Sequence, residues 1–134
     1  MALALRLARW SKGMAKSRFN STEFAAALRD IERPRGRQIH FLQAHYSAPG
    51  RAMTAAKLAK AARYQSWSGL NLQYGIIAKK IGRALGARDF DLSGLVEFAP
   101  PSSLTNRHWV LIMRPEFARA LKTARWVEDR SRSR

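Results

Sequence analysis

The segment from Thr54 to Gly86 constrains the fold more than any other part of the chain. Leu70, Tyr74, Ile77, Ile81 and Leu85 recur at helical spacing, which predicts one apolar stripe on a long helix over Trp67–Leu85. Ser66 offers a capping side chain at its start, and Gly86 permits the left-handed turn that ends it. Upstream, Thr54 is placed to cap a short helix over 55–62 whose Leu58, Ala59 and Ala62 face inward. Arg63-Tyr64-Gln65 is the turn between the two. Short helix, tight turn and long helix form a helix–turn–helix pattern. Short Ala-rich helices followed by long ones also occur in plain helical bundles, so this segment alone leaves both architectures open.

The flanks extend the pattern. Asn20-Ser21-Thr22-Glu23 reads as a capped helix start, followed by Phe24, Ala27, Leu28 and Ile31 at helical spacing. Pro34 ends that helix near Arg33. A second helix is expected over 35–46, with Ile39, Leu42 and Tyr46 as its apolar face. Ser47-Ala48-Pro49-Gly50 is a turn. Beyond Asp89 the texture changes. Leu95 to Phe98 and Trp109 to Met113 read as two strands joined by a loop rich in Pro, Ser, Thr and Asn. Arg114-Pro115-Glu116 starts a last helix, with Phe117, Leu121 and Ala124 on its apolar face. The expected fold is mainly α with a small β-hairpin, a winged helix–turn–helix-like domain with an extra helix at each end. It spans 20–127, between a basic N-terminal arm over 1–19 and a disordered basic tail over 128–134. Length and apolar content suit one domain with its own core.

Charge narrows the partner. The chain of 134 residues carries a formal net charge of +16. Its acids are not evenly spread: none occurs in the 56 residues from Arg33 to Arg88, which hold eleven Arg and Lys. A solvated surface usually mixes signs, so a one-signed stretch over several elements points to a polyanion, nucleic acid first. Cysteine is absent, which excludes disulfides, thiolate chemistry and Cys-bound zinc. No apolar run approaches the roughly 20 residues that span a bilayer, and no membrane partner is expected. A cytoplasmic, nucleoid location follows, although the acid-free stretch from Met1 to Thr22 also has the composition of a transit peptide, which would direct the chain to an organelle matrix.

In a helix–turn–helix the second helix enters the major groove and its first residues reach base edges. Gln65, Ser66, Ser68 and Asn71 occupy those positions here, and Asn71 has the amide that pairs bidentately with adenine. Lys79, Lys80 and Arg83 lie farther along the helix and suit phosphates, as do Arg51, Lys57, Lys60 and Arg63 around the motif. Asn106, Arg107 and His108 sit on the expected wing loop. Gly75 and Gly82, seven apart, fall on one helical face and permit close approach of a DNA backbone or a partner helix, including that of a homodimer. Leu72 and Ile76 border that face away from the main stripe. Trp67, Tyr64 and Trp109 are expected to be mostly internal.

Nothing in the sequence assembles an active site. His40 and His45 are five apart, not the four that place two ligands on one helical face. Asp89 and Asp91 lack a third ligand nearby, and Ser102 and Ser103 have no placed His and Asp partners. No cofactor, metal or catalytic residue is expected.

Two strings, Asn71-Leu72-Gln73-Tyr74-Gly75 and Met113-Arg114-Pro115-Glu116-Phe117-Ala118, together with the run from Tyr46 to Ala59, carry a resemblance. Residues 38–127 resemble a group of small bacterial and phage proteins, related to modules found beside HNH-type endonucleases. The resemblance implies a winged-helix-like module in DNA transactions or phage–host conflict. It carries over no catalytic residue, because the His–Asn–His set is missing. The chain departs from the group at Arg63, where relatives tend to place Gly before the turn aromatic.

The expected function is non-enzymatic nucleic-acid binding, chiefly of duplex DNA through phosphates. Alternatives are an RNA-binding or ribosome-associated basic protein, and a phage or defence module that docks a protein partner as an inhibitor or nuclease accessory.

Overall fold

The computed structural model describes residues 17–100 and 108–129. The chain is mainly helical, with a small three-stranded antiparallel sheet. In chain order the elements are α1 (Ser21–Arg29), α2 (Arg37–Ser47), β1 (Ala52–Thr54), α3 (Ala55–Ala61), α4 (Trp67–Leu85), β2 (Val96–Ala99), β3 (Val110–Met113) and α5 (Pro115–Thr123). Single 3₁₀ turns precede β1 and β2.

Local chemistry explains most helix boundaries. Asn20 accepts from the Glu23 amide at 2.8 Å and Glu23 accepts from the Asn20 amide at 2.9 Å, a complete capping box. Thr54 caps α3 through the Lys57 amide at 3.1 Å. Ser66 caps α4 through the Gly69 amide at 3.2 Å. Three helices close alike. A left-handed residue (Arg63 after α3, Gly86 after α4, Arg125 after α5) lets the next amide bond back to the carbonyl five residues earlier. α1 ends at Arg29, short of the expected Arg33, because the Asp30 and Ile31 amides bond three residues back and close the last turn.

The strands differ from expectation. A two-strand hairpin was the reading of the sequence, and β1 joins it as a third strand. β1 pairs antiparallel with β3 in the register Ala52↔Ile112, and β2 pairs with the other edge of β3, Val96↔Met113. The spatial order is therefore β1-β3-β2. Three residues are too few to show alternation, and the pairing joins segments some 60 residues apart, so no local pattern announces it.

The core lies between the helices and the inner sheet face. Phe24, Phe41, Leu58, Leu70, Tyr74, Ile81, Leu95, Leu111, Phe117 and Leu121 are fully buried there. A buried hydrogen-bond bridge crosses it. The His45 Nε2–H donates to the Leu111 carbonyl at 2.9 Å, so Nδ1 is the acceptor for the Tyr74 hydroxyl, also at 2.9 Å. That bridge ties α2 to α4 and to the sheet. Burial drives the His45 pKa down to about 4, so the ring is neutral.

Contacts continue on either side of residues 20–127. Phe19 packs on Phe24 and Phe90, and Arg18 pairs with Asp89 at 2.8 Å. At the other end Asp129 accepts from the Tyr46 hydroxyl and from Lys122, both at 2.6 Å. Most of the expected arm, the greater part of the wing loop and the tail from residue 130 lie outside the described residues.

Candidate nucleic-acid interface

The long helix α4 presents one face to the core and the other outward. Ser68, Leu72, Ile76, Lys79 and Arg83 form the exposed stripe, with Asn71 and Gly75 half-buried beside it. Gln38 on α2 donates to Gln73 at 3.0 Å and braces the helix from the side. α3 lies alongside α4, joined by the turn in which Arg63 adopts a φ of 64°. The side chain of Tyr64 in that turn packs on Phe41, and Arg37 lies over its ring. The turn is thus anchored to the core by an aromatic contact.

Six of the expected phosphate-binding residues are exposed on this unit: Lys57, Lys60, Arg63, Lys79, Lys80 and Arg83. Among the described residues the ion pairs are Arg18–Asp89, Arg35–Glu32, Arg114–Glu97 and Lys122–Asp129, and none uses any of the six. The cations fall into two groups. Lys57, Lys60 and Arg63 stand before α4, while Lys79, Lys80 and Arg83 begin about 18 Å along it from Trp67, at 1.5 Å per residue. Between the groups the outward face of α4 is uncharged. Gln65, Ser66 and Ser68 are exposed at its start, where Ser66 Oγ lies 2.9 Å from Ser68 Oγ. The Oδ1 of Asn71 is buried and has no hydrogen-bond partner among the described residues.

Arg51 does not join the six. Its guanidinium sits over the Tyr46 ring, 4.3 Å from the centroid, in a cleft shared with Pro115, Arg119 and Asp129 near α5. Its Nε is buried, so the side chain is committed to packing and is not held out to a phosphate. Arg51 and His45 also face each other electrostatically, and the Arg51 charge helps keep His45 neutral. Arg107 lies outside the described residues, and His108 is exposed two residues before β3.

The expected Gly75/Gly82 face is not one open surface. Gly75 is open, with no atom within 4 Å of where a Cβ would project. At Gly82 that Cβ would lie 2.6 Å from the Phe90 Cβ and 3.0 Å from the Ala87 carbonyl. After Gly86 the chain turns back and lays Phe90 on Gly82, so this glycine serves an internal contact.

The tryptophans correct a second expectation. Trp67 is 57% exposed and Trp109 is 52% exposed, whereas Tyr64 is half-buried. With Leu72 and Ile76 these are the large apolar side chains exposed among the described residues, and all four lie along the cleft between α4 and the β2–β3 strands. Sequence reasoning missed this cluster. The available signal was Ser66-Trp67-Ser68, an aromatic residue set between two polar ones at a helix start.

The acids near this surface have structural roles. Asp91 caps a 3₁₀ turn through the Ser93 amide at 3.0 Å and hydroxyl at 2.6 Å. Asp89 is held below the usual carboxylate range by its hydrogen bond from Arg18. Among the described residues no three His, Asp or Glu side chains stand close enough to hold a metal ion, and no helix is long and apolar enough to cross a membrane. Compared with protein-family models, curated proteins and solved structures, the chain matches none.

Proposed function

We propose that this protein is a nucleic-acid-binding winged-helix module that grips duplex DNA through the α3–α4 surface, mainly by phosphate contacts. The observation that carries the proposal is the set of six exposed cations on one helix–turn–helix unit, none of them neutralised by a described acid. Surface Lys and Arg in ordinary globular proteins sit among acids. Here the acid-free window from Arg33 to Arg88 covers α2, β1, α3 and α4. The layout also suits the task. Cations at both ends of α4 hold phosphates and fix the register, and the uncharged centre meets base edges. In that centre Leu72 and Ile76 supply apolar contact for thymine methyl groups, while the buried Oδ1 of Asn71 is not open to the bidentate adenine contact expected of it.

The element order supports the winged-helix reading. Helix α2, strand β1, helices α3 and α4, then β2 and β3 with β3 central, is the arrangement in which α4 acts as the recognition helix and the β2–β3 loop as the wing. The resemblance to bacterial and phage modules that accompany HNH-type endonucleases points the same way, toward DNA transactions or phage–host conflict without catalysis. The left-handed Arg63 accommodates the departure from that group at this position, since it adopts the conformation that glycine takes most cheaply.

The test is charge reversal. Lys79→Glu with Arg83→Glu changes two exposed residues, so the fold should persist in far-UV circular dichroism. Duplex binding, followed by fluorescence anisotropy at low salt, should be lost. A folded double variant that binds as tightly as the native chain would remove α4 from the interface.

A further inference from the structure

The cleft between α4 and the β2–β3 strands has more in it than a phosphate grip requires. It forms an open groove of about 530 Å³, within the roughly 300–1,000 Å³ range of pockets that take small ligands. Trp67 and Trp109 stand at this cavity, each more than half exposed. Ala55, Ala56 and Phe98 also line it and present no charge. Asn71 and His108 are the polar side chains on its wall. A second cavity adjoins it along α4, sharing Asn71 and Phe98, and is lined by Lys79, Lys80 and Arg83 together with one acid, Asp91.

We infer that this cleft takes an unpaired base of the bound nucleic acid, stacked against Trp67 and Trp109, with the neighbouring phosphates held by Lys79, Lys80 and Arg83. The inference rests on the nucleic-acid reading and adds to the duplex grip a place for a base freed from its pairing. Aromatic faces beside a positively charged track are how proteins hold single strands, because every base has a flat face to stack. Charge decides the occupant. An apolar cleft of this kind also suits a second copy of the chain, but two chains of net charge +16 repel, whereas a polyanion is attracted by the same cations.

The experiment compares three labelled ligands by anisotropy with the native chain. They are a single-stranded oligodeoxynucleotide, the same strand with abasic sites through its centre, and the blunt duplex. The abasic strand keeps every phosphate and lacks the stacking faces. The intact strand should bind about tenfold more tightly than the abasic one, the scale of one good stacking contact. Trp67→Ala and Trp109→Ala should each remove most of that difference while leaving abasic binding unchanged. Equal binding of intact and abasic strands by the native chain overturns the stacking inference and leaves the phosphate grip standing. Failure to bind any of the three overturns the nucleic-acid reading as well. A concentration-dependent doubling of mass in sedimentation, abolished by Trp67→Ala, would assign the cleft to a second copy and overturn the inference.

Discussion

Acidification should weaken this fold through one residue, His45. The ring is fully buried between α2, α4 and β3, donates to the Leu111 carbonyl and accepts from Tyr74. A proton on Nδ1 would take away the acceptor of the Tyr74 hydroxyl and leave a charge in the core beside Arg51. The pKa is lowered from 6.5 to about 4, with burial the main cause. The sign follows from linkage. Above pH 6.5 the ring is neutral in both the folded and unfolded chain, and it contributes no pH dependence. Between 6.5 and 4 the unfolded chain takes up a proton that the folded chain refuses, so stability falls as pH falls. Below about 4 both states are protonated and the loss stops growing. At about 1.4 kcal/mol per pKa unit, the full loss is about 3 kcal/mol. The assay is urea denaturation between pH 7.5 and 4.5, with the histidine ring signals followed by NMR. The reasoning is refuted if His45 titrates near its ordinary value in the folded chain, or if a His45→Gln variant keeps the same pH dependence between 6.5 and 4.5.

Three further outcomes are expected. Gly75→Ala should raise stability by about 1 kcal/mol, since the site is open and alanine is the better helix former. Gly82→Ala should lower it by about 1–3 kcal/mol, because the added carbon meets the Phe90 Cβ and a backbone carbonyl; the same urea midpoints measure both. Arg63→Gly should gain about 0.5–1 kcal/mol by relieving a left-handed arginine, and should make the salt dependence of DNA binding shallower by about one unit of slope.

Where structure is decided locally, the sequence was a good guide. The limits of α4 coincide with the expected ones because Ser66 and Gly86 act within a turn of their own positions. Thr54 capped α3, and Pro115 opened α5, for the same reason. The inner stripe from Leu70 to Leu85 needed only helical spacing. What escaped was set by distant partners. β1 exists because Ala52–Thr54 meets β3 across the fold. Gly82 is closed because the chain after Gly86 returns with Phe90. Trp67 and Trp109 are exposed on the cleft between α4 and the β2–β3 strands, a placement that no single helix pattern contains. Arg51 was counted with the clamps by its place in the sequence, and Tyr46 drew it to the α5 side.

The central claim is that a cluster of unneutralised cations on α3 and α4 binds a phosphate backbone. Salt dependence measures it most directly. If Lys57, Lys60, Arg63, Lys79, Lys80 and Arg83 each neutralise one phosphate, log affinity for a duplex should fall against log salt concentration with a slope of about −5. Lys79→Glu with Arg83→Glu should flatten it along with the affinity. A slope near zero for the native chain, or tight binding that ignores salt, would contradict the account.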